Sequence, residues 1–353
     1  MMSTCMQEKE DRPVGRFVTF GEIMMRLNPE GYNRFVQAER FEASYAGGEA
    51  NVAVSLANYG LEASFVTKLP ENPLGEAARN AVRRFGVDTG DIVWGGERLG
   101  LYFVEKGASQ RSSKVVYDRA GSSIALAGRN DFEWAKIFKD AKWFHFTGIT
   151  PALGGELPEI CLDALEYCKA HSITVSCDLN YRAKLWSKEA AGRCMERIVP
   201  YVDVLIANEA DAADVFGIVG EGSDVESGKL EKHGYAAVAE ELVRRFGCKK
   251  VAITLRTSLS ASRNLWSGML YSEGRAYFAK EYDLQIVDRV GGGDSFGGGL
   301  VYALATGRND QSAIDFAVAA SALKHSIERD FNLVSVGEVE ALAAGNGTGR
   351  VQR

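Results

Sequence analysis

No stretch of the 353 residues approaches the ~20 consecutive apolar positions that a membrane-spanning helix needs, and runs such as Val202 to Ala207 are far too short. The segment from Met1 to Arg16 carries Gln7, Glu8, Lys9, Glu10, Asp11 and Arg12 where a signal core would be apolar, so a disordered polar tail is expected there. Cys5, Cys161, Cys168, Cys177, Cys194 and Cys248 form no C-x-x-C pair, which removes the common zinc and redox motifs. A chain this long buries a core without staples, so these cysteines are expected to be reduced, small and apolar, in a cytoplasmic protein. Basic excess is also missing. Lys plus Arg number 41 and Asp plus Glu 47, a net charge of −6, which argues against non-specific nucleic-acid binding but leaves room for a small anionic substrate. No Gly-Lys-Ser/Thr follows the glycine run at Gly291–Gly299, so it is not a Walker P-loop. Internal repeats and low-complexity tracts are absent.

What is present is an ordinary globular composition, 46% hydrophobic and 25% charged, with length for about two domains or one large domain with an accessory part. Phe17–Ile23, Ala63–Leu69, Trp143–Ile149, Thr174–Leu179, Val202–Asn208 and Val251–Leu255 read as short strands, several nearly continuous in apolar residues, as suits parallel strands covered on both faces. Helical patterns lie between them. Asn72 and Pro73 make a capped start for a helix ending near Gly86, and Ala50–Tyr59, Val238–Phe246, Ser295–Thr306 and Asp310–His325 read as further helices. The alternation implies an α/β core with a mostly parallel sheet. Tyr32–Tyr45 and Leu99–Ala125 break the rhythm with a period of two, predicting a small antiparallel sheet beside the core, and polar Gly220–Tyr235 reads as a surface insertion.

Two glycine motifs carry the chemistry. In the first, Gly291-Gly292-Gly293-Asp294 opens a helix that runs on through Gly297-Gly298-Gly299. Glycines admit close backbone approach, and the first N–H groups of a helix lack internal partners, so an anion such as a phosphoryl group is favoured there. Asp294 beside that anion suits acceptance of a proton from an attacking hydroxyl; an Asp merely near a helix cap gives the same local pattern. In the second, Gly47-Gly48 leads into a helix with Asn51 in its first turn, which offers a donor and an acceptor to hydroxyls or simply a capping turn.

Two such motifs, far apart in an α/β chain with a small early sheet, resemble the PfkB (ribokinase-like) family of carbohydrate kinases over roughly Phe17 to Val339. The D-x-x-G-x-G-D pattern stands here as Asp288-Arg289-Val290-Gly291-Gly292-Gly293-Asp294. The resemblance implies a three-layer α/β/α core with a β-sheet lid from about 30–45 and 97–125, a kinase domain over 16–345, and polar tails at 1–15 and 346–353. It implies Asp294 as catalytic base, the Gly291, Gly292 and Gly293 loop holding phosphate, and the sugar lying against Gly47, Gly48 and Asn51. ATP is implied against Asn208, Thr254, Arg256, Gly291, Gly293 and His325. Mg²⁺ is implied near Asp211, where Asn208-Glu209-Ala210-Asp211 has Asp for the family's usual Glu, and a monovalent cation, K⁺, beside Asp288. Arg289-Val290 replaces the common Thr-Thr, Arg256 the glycine of Thr-Leu-Gly, and the middle loop glycine is more often Ala.

Within the family the sequence is most similar to kinases of 2-keto-3-deoxygluconate. Tyr102, Tyr117 and Arg119 resemble their substrate-facing lid, Asp178-Leu179-Asn180-Tyr181-Arg182 their D-x-N-x-R segment, and Ala322-Leu323-Lys324-His325 part of their adenine-side wall. Arg119 and Arg182 facing one pocket would make a fork for a carboxylate, although surface ion pairs are the ordinary fate of arginine. The implied reaction is transfer of the ATP γ-phosphoryl group to the C6 hydroxyl of the sugar acid. Another sugar kinase such as a fructokinase, and a non-catalytic sugar-responsive protein, are the rival readings. The expected partners are the sugar acid and ATP, with no nucleic acid and no membrane, in a homo-oligomer.

Overall fold

Successive residues of a strand point to opposite faces, and here both faces are covered. In the computed structural model, which describes residues 15–208, 210–220 and 232–347, Phe17, Trp143, Ile206 and Ala252 pack with one buried cluster and their neighbours Val18, Phe144, Leu205 and Val251 with another. The first cluster lies under the helices Gly48–Asn58, Gly292–Ala305 and Asp310–Lys324; the second lies under Leu157–Ala170, Lys188–Ile198 and Lys232–Phe246. Three layers follow from that alternation. Burying each large apolar side chain contributes about 1.5–3 kcal/mol, which sets the register of every central strand.

Between the layers is a nine-stranded sheet. Glu62–Val66, Arg16–Phe20, Ala141–Thr147, Thr174–Asp178, Val204–Asn208 and Lys250–Ser260 run parallel in that spatial order. Arg263–Ser272 then turns back antiparallel and pairs with Arg275–Phe278 and Tyr282–Gln285. The parallel register brings Thr147 beside Asp178, and Asn208 beside Thr254, at the carboxyl ends of the strands.

A separate four-stranded sheet runs in the order Phe41–Ala46, Met24–Pro29, Gly100–Glu105, Lys114–Asp118. The small sheet expected from 30–45 and 97–125 is therefore there, but with different bounds. Its second strand, Met24–Pro29, lies before the expected range, and Phe35–Gln37 forms a 3-10 turn inside it. The pairing is also mixed, since Met24–Pro29 runs parallel to Gly100–Glu105.

The expected strands are present with shifted ends. Phe17–Ile23 stops at Phe20, Val251–Leu255 extends to Ser260, and Ile149 begins a short helix. The Asn72 side chain accepts from the N–H groups of Leu74 and Gly75 at 3.0 and 3.1 Å and starts the helix Pro73–Arg83. The helix expected over Val238–Phe246 begins at Lys232, so part of the expected insertion 220–235 is helical, while its residues 221–231 lie outside the described residues, as do residues 1–14 and 348–353 of the expected tails 1–15 and 346–353. Cys161, Cys168, Cys177 and Cys248 are buried free thiols. No helix among the described residues is long and apolar enough to cross a membrane.

Candidate functional site

Both glycine motifs open onto one cavity of about 330 Å³, at the carboxyl ends of the parallel strands and beside the small sheet. That is where ligands gather in open α/β sheets, and the volume suits a small molecule. Asn51 and Asp294, 243 residues apart, meet there: the Asn51 amide donates to Asp294 Oδ2 at 2.6 Å. Burial pushes the Asp294 carboxyl up to about 6; the Asn51 bond draws it down, the Asp330 charge pushes it up, and Arg182 and Lys324 draw it down. A carboxylate so placed can take a proton near neutral pH.

The glycines divide by cause. A Cβ at Gly47 would come within 1.8 Å of the Glu22 carbonyl oxygen, so this glycine lets two backbones cross. Gly48 has ordinary room beside Asp294 and Thr147. Gly291 has a φ of +84° and presses on the Asp330 carbonyl, a conformation that favours glycine. Gly292 lies against the His325 ring and its N–H already reaches the Arg289 carbonyl at 3.3 Å. Gly293 is exposed with nothing within 4 Å of a Cβ, so its N–H and that of Asp294 stand at the open start of the helix. Gly298 and Gly299, by contrast, meet Ser55 and the Asp310–Lys324 helix. They are packing residues, although in the sequence they look like a continuation of the ligand loop.

On the small sheet, Tyr102 and Tyr117 are cross-strand partners with stacked rings 6.1 Å apart. The Arg119 guanidinium lies over the Tyr117 ring at 5.4 Å, so the two share a face as their spacing predicts. Arg119 is not a free fork, however, because it is ion-paired to buried Glu22, whose other oxygen accepts from Ser122 Oγ at 2.7 Å. Arg182 differs. Asn180 sits at a φ of +43° and donates its N–H to Asp178 Oδ1 at 3.0 Å, a turn that carries Arg182 round to the cavity. Arg182 is exposed, donates to the Tyr181 carbonyl at 2.9 Å and makes no ion pair among the described residues.

Asn208, Thr254, Arg256 and His325 line the other end of the cavity. His325 is buried, hydrogen-bonded at Nδ1 to the Ser321 carbonyl at 2.7 Å and tilted against Trp266, and burial holds its pKa down to about 4. Sequence reasoning missed Trp266 and Asp330, which line the cavity too, as do Asp178 and Arg289, which it named only as members of motifs. Asp211 lies beneath the wall. Its oxygens accept from the Tyr181 and Asn208 N–H groups at 3.3 and 3.0 Å, so it braces two loops and has no direct line to the cavity. Glu209, its neighbour in the motif, lies outside the described residues.

Asp288 also lies off the cavity wall, in a buried charge network. Arg26 donates to Asp288 Oδ2 and to Asp330 Oδ1, both at 2.6 Å, and Tyr102 donates to Asp330 Oδ2 at 2.8 Å. The alternation Met24, Arg26, Asn28 along its strand, all buried, is the signal that would have marked Arg26 as inward-facing.

The model of the pfkB family of carbohydrate kinases matches residues 15–326. A 2-dehydro-3-deoxygalactonokinase of Haloferax volcanii is 33% identical over 94% of this chain and 98% of its own length. The crystal structure of 2-dehydro-3-deoxygluconokinase from Thermotoga maritima is 53% identical with a TM-score of 0.91, covering 95% of this chain and 99% of that one. An E. coli protein assigned as a ribokinase II, holding ATP and Mg²⁺, shares the fold at 17% identity and a TM-score of 0.77, covering 94% and 99%.

Proposed function

The chain belongs to the pfkB family of carbohydrate kinases, and from that premise we propose that it transfers the γ-phosphoryl group of ATP to the C6 hydroxyl of 2-keto-3-deoxygluconate. The observation that carries the acid is Arg182, a guanidinium on the same cavity wall as Asp294 that makes no ion pair among the described residues. A neutral hexose gives that charge nothing to pair with. The names of the relatives, kinases of dehydro-deoxy sugar acids, support the same substrate class.

In this reading the sugar acid lies between Gly48, Asn51 and the small sheet, and ATP lies along Asn208, Thr254, Arg256 and the glycine loop. Asp294 takes the C6 hydroxyl proton. The hydroxyl oxygen bonds to the γ-phosphorus as the bond to the β-bridging oxygen breaks, giving the phosphorylated acid and ADP. The Gly293 and Asp294 N–H groups hold the transferring oxygens; preorganised donors of this kind contribute about 3 kcal/mol each.

Among the described residues no three His, Cys, Asp or Glu side chains are arranged to hold a metal unaided. The residues do fit a Mg²⁺ ion that arrives with the phosphates. Asp178 lines the cavity, and burial first, then the Asp211 and Asp294 charges, push its carboxyl well up, so a cation bound beside it would favour its ionised form. Mg²⁺ bound there would offset the charge of the phosphate oxygens.

The test is ADP release over a panel of keto-deoxy acids and neutral hexoses. kcat/KM for 2-keto-3-deoxygluconate should exceed that for fructose by about 100-fold or more. A preference for fructose overturns the reading. The base also sets a pH limb. Because the Asp294 carboxyl is raised to about 6 and acts deprotonated, kcat/KM should fall as pH drops through about 6. Asn51→Ala removes the bond that lowers this carboxyl, so the limb should move to higher pH; an unmoved limb would assign it to another group.

A further inference from the structure

The resemblance drawn from the sequence implies K⁺ beside Asp288, and the donor set does not fit it. The Asp288 carboxylate is already used, with Oδ1 accepting from the Val290 N–H at 3.1 Å and Oδ2 from Arg26 at 2.6 Å and the Arg329 N–H at 3.1 Å. Its main-chain oxygen is used as well. Lys324 Nζ donates to the carbonyls of Asp288 and Ile327, each at 3.2 Å, and the lysine is fully buried. An ammonium on backbone carbonyls is what a potassium ion would otherwise be, since the two are similar in size and charge.

Arg26 and Lys324 balance Asp288 and Asp330, so the buried cluster is neutral without an added ion. Lys324 is the last residue of the helix Asp310–Lys324, where the helix dipole favours a cation. The same helix holds the glycine loop, because Ser321 Oγ donates to the Gly292 carbonyl at 2.7 Å, and the His325 carbonyl just beyond it accepts from the Val287 N–H at 2.9 Å. The charge therefore sits directly behind the start of the phosphate-facing helix.

We propose that the Lys324 ammonium is a tethered monovalent cation, which supports the glycine loop in place of K⁺ and makes the kinase independent of added potassium. This rests on the kinase reading but not on the identity of the sugar. Lys324 is a positioning residue here; it acts through the loop.

The experiment measures ADP release, with whichever sugar the panel shows to turn over, and Tm without substrate, in KCl, NaCl and tetramethylammonium chloride at equal ionic strength. Wild-type kcat should agree within about twofold across the three salts. Lys324→Ala, which empties the carbonyl cage, should lose about tenfold or more in kcat in tetramethylammonium chloride, and KCl should restore part of both kcat and Tm. Lys324→Met fills the cage without charge and should lose kcat with no rescue by any ion. Severalfold activation of the wild type by KCl overturns the proposal, and that measurement stands even if neither variant folds. It is equally overturned if Lys324→Ala gains nothing from K⁺, or if K⁺ rescues Lys324→Met as well.

Discussion

Asp294→Asn should lower kcat by about 100-fold or more while the KM values for ATP and sugar stay within a few-fold. The substitution keeps the shape of the side chain and lets the amide oxygen accept the 2.6 Å bond from Asn51, so the meeting of the two helix starts survives. What disappears is the capacity to take a proton at a position where burial has already tuned the carboxyl to about 6. Because the lost interaction belongs to the transition state, the effect falls on kcat, and single-turnover ADP release measures it directly. Near-normal kcat would show that Asp294 only caps its helix, the alternative that the local sequence leaves open.

Measured at about pH 8, above the Asp294 limb that loss of this charge would raise, Arg182→Ala should cost about 10- to 100-fold in kcat/KM for the sugar acid and almost nothing for a neutral ketose that is turned over at all. A charge-assisted hydrogen bond to a buried carboxylate is worth ~1.5–3 kcal/mol, and a substrate without the carboxylate never makes it. Arg119→Ala is expected to behave differently. Its guanidinium is already paired with Glu22 and lies over Tyr117, so removal strands a buried carboxylate as well as opening the cavity wall. Arg119→Ala should therefore depress both substrates and lower Tm, whereas Arg182→Ala should be selective and thermally silent. Equal losses on acid and neutral sugar for Arg182→Ala would place that arginine with the phosphates and remove the main physical support for a sugar-acid substrate.

Much of this was legible before any coordinates. Local chemistry fixes the strand–helix alternation, the Asn72–Pro73 helix start and the two glycine-led helix N-termini, because each depends on residues within a few positions of one another. The period of two in Gly100–Glu105 and Lys114–Asp118 likewise belongs to the chain itself, whereas the pairing that sets Tyr102 beside Tyr117 comes from the structure. The strand Met24–Pro29 escaped notice because its buried face carries Arg26 and Asn28, which read as polar loop until a partner is found for them.

Those partners lie far along the chain. Arg26 meets Asp330 across 304 residues, and Lys324 reaches the carbonyl of Asp288 only because a helix end and a loop are folded against each other. The sequence alone determined which residue types could bind an anion, accept a proton or pair with a carboxylate. Tertiary structure decided which of them are paired: Arg182 makes no ion pair among the described residues, Arg119 is held by Glu22, and Asp288 is held by Arg26. The physical reason is that a buried charge must be neutralised where it ends up, and where it ends up depends on contacts hundreds of residues apart.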